Sequence, residues 1–519
     1  MKIKSMFLLT LLVLVALAAC APAPTPVPTA APPTAAPKPT TPPEPTKAPT
    51  TAPASSSASS AASSVASGPT ATRPPATATA TPRPPAVTAA PGAIKVNFWH
   101  HLSAPEQVDM VQKFADEFNA KNPKYYIVPS FQGTTSEMPR KVNAAITAGS
   151  TPDMVTGNPG DLFDYATAGA MVALDSYIKD PADGLDPALL AEMSFKLPNG
   201  QELFFDIGPD GKTYGLSVAR SMNVMFYNID MLKAAGFNNP PATWDEFDKI
   251  CAAVTKGDQY CYPATASSMD TSAFASWVFS RGGTYASADE KKATFDDQAG
   301  IDTLKWLQNM AKTGWGKVPS VTSRGDQADF GNGKVAFAFG STAGLPFFQD
   351  AVNGRKEGPF QWSIAPIPAG PKGKQVVNFF GPSIGIMKTT ADKQKGAWLF
   401  LRYLLQKENQ AEWALRLVYY PASKSARDYV LSLSADQVKA TNARVAPVFE
   451  QFKKGASFVS LGLREPTAAA WQGPRTTIAT MLTAVFTGKS SADFTATDPE
   501  AAAKEGVQRV NKILESYGK

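Results

Sequence analysis

Histidine is nearly absent from this chain of 519 residues, which holds only His100 and His101, side by side. Neighbours in an extended segment point to opposite faces, so the two cannot easily ligate one metal. No His-x-x-x-His or Cys-x-x-Cys spacing occurs, which argues against a zinc site. The shortage also removes a hydrolase reading. Gly381-Pro382-Ser383-Ile384-Gly385 has the G-x-S-x-G form of a nucleophile elbow, but that triad needs a histidine, usually downstream, and both lie far upstream. Gly370-Pro-Lys-Gly373-Lys374 is no phosphate loop, since no Ser or Thr follows its lysine. A glycoside hydrolase needs two carboxylates in one cleft, and nothing in the sequence singles out such a pair among 44 acidic residues. A secreted glycosidase is therefore the alternative to a binding function. No cofactor and no metal are expected.

Charge of one sign is scarce too. Lys and Arg total 50 against 44 Asp and Glu, and no dense basic run appears, so nucleic acid is not an expected partner. After the N-terminal leader no apolar run approaches membrane-spanning length. Cysteine is limited to Cys20, Cys251 and Cys261.

The leader is informative. Lys2 and Lys4 precede an apolar run from Met6 to Leu17, then Ala18 and Ala19, which is the build of a secretory signal. Leu17-Ala18-Ala19-Cys20 resembles the cleavage box of bacterial lipoproteins, which implies a signal peptide over 1–19 and a diacylglycerol on Cys20. Several acyl chains together give stable anchoring. From 20 to 92 the chain is Pro, Thr, Ala and Ser, with 20 of the 45 prolines between Ala21 and Gly92. Such a segment buries too little to offset its ordering. It reads as a tether, up to about 220 Å long if fully extended as polyproline II. The expected location is extracytoplasmic, at the cell membrane through the lipid. On an exported chain the remaining pair, Cys251 and Cys261, suggests a disulfide, with two buried thiols as the other possibility.

From Ile94 the pattern becomes that of an α/β protein. Ile94 to Trp99 alternates like a strand. Ser103-Ala-Pro-Glu106 looks like a capping box opening a helix whose face carries Val108, Val111, Phe114 and Phe118. Tyr125 to Pro129 and Asp153 to Thr156 are further strands, with helices between and after them. Strand–helix alternation implies a parallel sheet covered on both faces. A second unit starts near Met222, and Thr243 caps the helix that begins at Trp244. Gly396 to Leu415 is amphipathic and helical.

The pieces resemble a known family. Phe98-Trp99-His100, Ala145-Ile-Thr-Ala-Gly149-Ser-Thr-Pro152-Asp153, Phe226-Tyr227-Asn228, Thr243-Trp244-Asp-Glu246-Phe247, Arg281-Gly282-Gly283, Glu408-Asn409-Gln410-Ala-Glu412-Trp413 and Tyr419-Tyr420-Pro421 occur in the order and spacing of extracellular solute-binding proteins of bacterial ABC importers, in the sugar-binding group. The Phe-Trp-His start and the Gln132-Gly133 turn are similar to the glycerol-3-phosphate branch. The resemblance implies a periplasmic-binding-protein-like α/β fold of two lobes joined by hinge strands, with the ligand in the cleft between them. It allots 94–220 and 341–388 to lobe one, and 221–340 and 389–519 to lobe two. The implied partners are a small carbohydrate, the permease subunits of an importer, and the membrane through the lipid; the protein itself would be a monomer.

Strand ends and family positions then give the expected ligand residues: Trp99, His100, Gln132, Gly133, Asn158, Arg220, Ser221, Trp277, Ser341, Gly381, Tyr419 and Arg464. For Trp99 and Trp277 core packing is the competing role, and Trp244, Trp398 and Trp413 on helices read as packing. The glycerol-3-phosphate branch carries Tyr and Glu where this chain has Thr135 and about Asn158–Pro159. An oligosaccharide or another polyol is therefore as well supported as that ligand.

Overall fold

Strand Ile94–His100 buries Val96, Phe98 and His100 on one face, as its alternation requires. The computed structural model that shows this describes residues 87–197, 200–265, 269–321 and 324–517. The signal segment, Cys20 and the tether up to residue 86 lie outside the described residues.

Two sheets organise the chain. The first runs Tyr125–Phe131, Ile94–His100, Met154–Gly157, Ser383–Ile386, Thr213–Leu216, Phe205–Ile207. Its first three strands are parallel, joined by helices Pro105–Lys121 and Met138–Thr147. Helix Pro105–Lys121 buries Met110, Val111, Phe114 and Phe118. Its cap sits one residue later than expected: Ala104 is the N-cap, and Gln107 rather than Glu106 reaches back to the Ala104 amide. Pro105 has no amide proton, so the first turn loses nothing by starting there.

The second sheet is built around strand Ala219–Asn228, buried along its whole length. Trp362–Ala365 and Val377–Phe380 pair with one edge, Phe337–Ser341 and Tyr420–Pro421 with the other, and Gly462–Arg464 extends the sheet beyond Val377–Phe380. Helices Trp244–Val254, Thr271–Ser280, Gln298–Lys312, Pro474–Thr487 and Pro499–Ser516 contribute to a core with the Met225, Tyr227, Phe337 and Phe339 face. Thr243 caps helix Trp244–Val254 through the Glu246 amide at 3.2 Å. Cys251 in that helix is disulfide-bonded to Cys261, with the Cα atoms 4.9 Å apart.

The chain crosses between sheets after Leu216, at Gly381-Pro382 and a third time between Leu404 and Tyr420. Sheet membership therefore corrects the expected allotment. Most of 341–388 belongs to the second sheet, because Trp362–Ala365 and Val377–Phe380 hydrogen-bond there, and only Ser383–Ile386 joins the first. Helix Ala391–Leu404, expected in lobe two, packs on strands Ile94–His100 and Tyr125–Phe131. Gly396 permits that approach: a Cβ there would lie 2.5 Å from the Tyr125 ring. Among the described residues no helix is long and apolar enough to cross a membrane.

Candidate functional site

Side chains alternate along Ala219–Asn228, so Ser221, Asn223, Met225 and Tyr227 share one face. Away from the first sheet this face is apolar: Met225 and Tyr227 lie opposite Phe339 and Phe337. Toward the first sheet it turns polar. Asn223 lies opposite Ser341 on one neighbour and Asn378 on the other, and Ser221 lies opposite Phe380.

Helix Thr271–Ser280 brings its first turn against this polar row. Asn378 Nδ2 donates to the Ser272 carbonyl at 3.2 Å and to Glu465 Oε1 at 3.3 Å. The Ser272 hydroxyl donates to the same carboxylate. Arg475, in the first turn of helix Pro474–Thr487, sits 3.1 Å from the other Glu465 oxygen. Asp270 caps helix Thr271–Ser280, accepting from the Ala273 amide at 2.8 Å. Burial pushes its carboxyl up to about 6, with the Glu465 charge adding and Arg475 opposing. Buried polar atoms normally find partners. In this polar row Asn223 Oδ1, Asn378 Oδ1 and Thr271 Oγ1 are buried and have none among the described residues.

The first lobe supplies the facing wall. His101, Thr135, Thr156, Asn158 and Asp161 line a small recess at the strand ends. His101 Nδ1 lies 2.7 Å from the Thr156 hydroxyl, and burial lowers the imidazole to about 4. Asn158 precedes helix Pro159–Thr167 and donates to Asp161 from its backbone at 3.1 Å and its side chain at 3.2 Å. Burial raises the Asp161 carboxyl to about 6 against those bonds, and the charge of Arg475 acts on it from the other sheet's side. Helix Pro159–Thr167 also rests on the short turn Ala469–Gln472 of the second lobe. The two lobes thus touch through this helix and turn.

The hinge end is closed by Tyr419 and Gly381. Gly381 has φ +134°, and a Cβ there would lie 3.3 Å from the Tyr419 ring. Tyr419 interacts with the Ser221 hydroxyl, and burial raises its phenol. The residue before it, Val418, holds a left-handed φ of +59°, which is costly for a β-branched side chain.

Arg220 is fully buried beneath this end. It donates to the Leu203 and Gly381 carbonyls, to Ser383 Oγ at 3.0 Å and to Asp206 Oδ1 at 2.8 Å. Arg464 donates to the same Asp206 oxygen at 2.6 Å and to the Glu202 carbonyl at 3.1 Å. Burial would raise Asp206, but the two guanidinium charges outweigh it and hold the carboxyl below its usual range. Burial and the neighbouring Arg464 lower Arg220 to about 9. Next to the trio lies a cavity of about 620 Å³ lined by Phe163, Gln201, Glu202, Ile207, Glu290 and Arg464, among others.

Of the residues expected from the sequence, Ser221, Ser341, Gly381 and Tyr419 come together at the hinge. Asn158 stands on the opposite wall, and Gln132 and Gly133 end the strand that leads to Thr135. The others lie elsewhere. Trp99 packs against the small cluster of Met138, Val142 and Val155. His100 is 1 % exposed, with its ring near Phe98 and Phe131, and burial lowers it to about 4. Trp277 is wholly buried among Tyr262, Trp306 and Phe339. His100 and Trp277 are buried and Trp99 is half-buried; Arg220 and Arg464 are held on Asp206, and Arg464 also lines the cavity of about 620 Å³. Trp244, Trp398 and Trp413 are packing residues as expected. Sequence reasoning missed Asn223, Asp270, Asn378, Glu465 and Arg475. Strand alternation from Ser221 points to Asn223, and Asn378 is a lone polar residue in Val376-Val-Asn-Phe-Phe380.

Comparison with known proteins gives a consistent set. A sequence profile described as bacterial extracellular solute-binding protein matches residues 113–446. A Brucella abortus binding protein is 27% identical over 379 residues, covering 68% of this chain and 84% of the relative. The sn-glycerol-3-phosphate-binding periplasmic protein of Escherichia coli is 25% identical over 446 residues, covering 82% and 93%. The crystal structure of the cyclic alpha-maltosyl-1,6-maltose binding protein of Arthrobacter globiformis superposes with TM-score 0.64 at 20% identity, covering 82% of this chain and 100% of that one.

Proposed function

The chain belongs to the bacterial extracellular solute-binding proteins, and from that premise we propose that it captures a carbohydrate or polyol in the corridor between its two sheets and delivers it to the membrane subunits of an ABC importer. Such proteins bind a solute without converting it. The observation that carries the ligand reading is Asn378. It is fully buried, its Nδ2 is fixed by two acceptors, and its Oδ1 has no donor. A ligand hydroxyl supplies what that oxygen lacks, and an unmet buried acceptor costs about 1–3 kcal/mol. Ser221, Asn223, Ser341, Gly381 and Tyr419 surround the ligand from the hinge side; Thr135, Asn158 and Asp161 meet it from the first lobe. Arg475, not Arg464, is the arginine of the site.

Closure is a hinge motion about the links after Leu216, at Gly381 and before Tyr420. The permease reads the closed form, and the ligand favours it only through its higher affinity for that form. The Pro- and Thr-rich segment holds the binding domain away from the bilayer, with Cys20 carrying the lipid. These two statements rest on the sequence of residues 17–92.

A thermal-shift screen over sugars, polyols and their phosphates tests the reading, with mass spectrometry of the released ligand. A true ligand at about 100 times its dissociation constant stabilises by about 2.7 kcal/mol and is recovered unchanged. Unshifted melting with every compound, or conversion of the ligand, sinks it. Cell-derived protein should carry acyl mass at Cys20 that Cys20→Ser removes; a wild type without acyl mass refutes the anchor.

A further inference from the structure

We infer that the corridor takes an uncharged, hydroxyl-rich ligand, a neutral sugar or sugar oligomer, and rejects phosphate esters. This rests on the reading above that the corridor holds the solute, and it narrows the class of that solute.

Charge is the first observation. Among the described residues facing the corridor, the carboxylates Asp161, Asp270 and Glu465 stand against one guanidinium, Arg475, which is already paired with Glu465 at 3.1 Å. Arg220 and Arg464 are buried and place their donors on Asp206, Ser383 and backbone carbonyls. A phosphate is commonly held by an arginine cluster or by free amides at a helix N-terminus. The one arginine is paired with Glu465 and helix Thr271–Ser280 is capped by Asp270, while helices Pro159–Thr167 and Pro474–Thr487 carry no side-chain cap on their first amides. The Asp270 carboxylate takes the Ala273 amide at the start of helix Thr271–Ser280. Asp161 occupies the first turn of helix Pro159–Thr167 and accepts from Asn158. A phosphate monoester carries nearly two negative charges, so it would enter against three carboxylates.

Hydrogen-bond polarity is the second, independent observation. The orientation of the Asn378 amide is fixed, because Nδ2 donates to both Ser272 O and Glu465 Oε1. Its Oδ1 is therefore an acceptor, buried at 0 % exposure and without a partner. An amide oxygen accepts and cannot donate. Ionised phosphate oxygens also only accept, so a phosphate group cannot occupy this position and a hydroxyl must, which leaves the phosphate of an ester to face the carboxylates. Sugar hydroxyls donate. Thr271 Oγ1, also buried and unpartnered, can play either role toward a hydroxyl.

Titration calorimetry at pH 7.5 on the full folded domain tests this with matched pairs: glucose and glucose 6-phosphate, glycerol and glycerol 3-phosphate, with maltose and maltotriose as longer neutral probes. We expect a neutral probe to bind and a phosphate ester to bind at least ~100-fold more weakly, the scale of like charges brought together out of water. Glu465→Gln and, separately, Asp270→Asn keep an acceptor oxygen in place and should each narrow that gap by about tenfold. Either variant suffices if the other misfolds. A phosphate ester that binds as tightly as the neutral probes, or a gap unchanged in both variants, overturns the inference while leaving the receptor reading intact. If none of the neutral or phosphorylated probes binds, and the wider screen is also empty, the receptor reading itself falls.

Discussion

Arg464 of the second sheet and Arg220 at the hinge donate to the same oxygen of Asp206 on the first sheet, at 2.6 and 2.8 Å, and all three side chains are buried. One carboxylate thus balances two guanidinium groups where the chain passes from one sheet to the other. Removing the shared partner differs from removing one arm. Asp206→Asn leaves two buried cations facing each other and should cost about 3–5 kcal/mol. Arg464→Met leaves a matched pair and should cost clearly less. Urea unfolding of both variants decides, and equal losses would show that the trio does not act as one unit.

The disulfide closes a short loop: Cys251 and Cys261 are 10 residues apart. Such a link removes freedom mainly from the unfolded chain, so replacing both by Ala should cost roughly 2–4 kcal/mol. Neither thiol should react with iodoacetamide in denaturant until reductant is added. Immediate labelling of both would exclude the bond.

His100 and His101 are the only imidazoles in the chain, so their titration can be followed without overlap. Burial lowers both to about 4, with the neighbouring imidazole adding to the effect on His101. Their folded values lie below the ordinary value near 6.5. Their contribution to stability is therefore present above about pH 6.5 and is lost as pH falls through about 4. In NMR titrations both ring signals should stay close to their neutral positions down to about pH 5 and move with midpoints of about 4. A midpoint near 6.5 for His101 would place that ring in water rather than against Thr156.

Much of the fold was legible because two-residue alternation and helix periodicity carry it. Val96, Phe98, Phe114 and Phe118 fall where those patterns put them. The misplaced segments have a common cause: Trp362–Ala365 and Val377–Phe380 are short strands whose sequence says that they pair, not with which sheet. For the site, Ser221 and Ser341 were expected from the hinge positions and Gly381 and Tyr419 from family positions, and the four lie near one another in the fold. The aromatic candidates lie in packed surroundings. Trp99 is half-buried against the Met138 cluster, and His100 and Trp277 are buried among aromatic rings, a placement that apolar ring faces favour whether or not a ligand is near, although His100 Nδ1 and Trp277 Nε1 have no hydrogen-bond partner among the described residues. Asn378, Glu465 and Arg475 were hidden because their meeting depends on three elements far apart in sequence.

The most direct measurement is calorimetric titration of the neutral sugar returned by the screen against wild type, Asn223→Ala and Trp244→Ala. Asn223 lies in the corridor, whereas Trp244 packs in the second-lobe core, donating to Ser280 Oγ at 2.9 Å with the Arg281 guanidinium 4.1 Å from its ring centre. Loss of a ligand hydrogen bond at Asn223 should weaken binding by about 1–3 kcal/mol with a smaller change in the melting point of the free protein. Trp244→Ala should cost about 3–5 kcal/mol of stability and leave the affinity of the folded fraction unchanged. Full affinity in Asn223→Ala together with lost binding in folded Trp244→Ala would contradict the account and move the ligand out of the corridor.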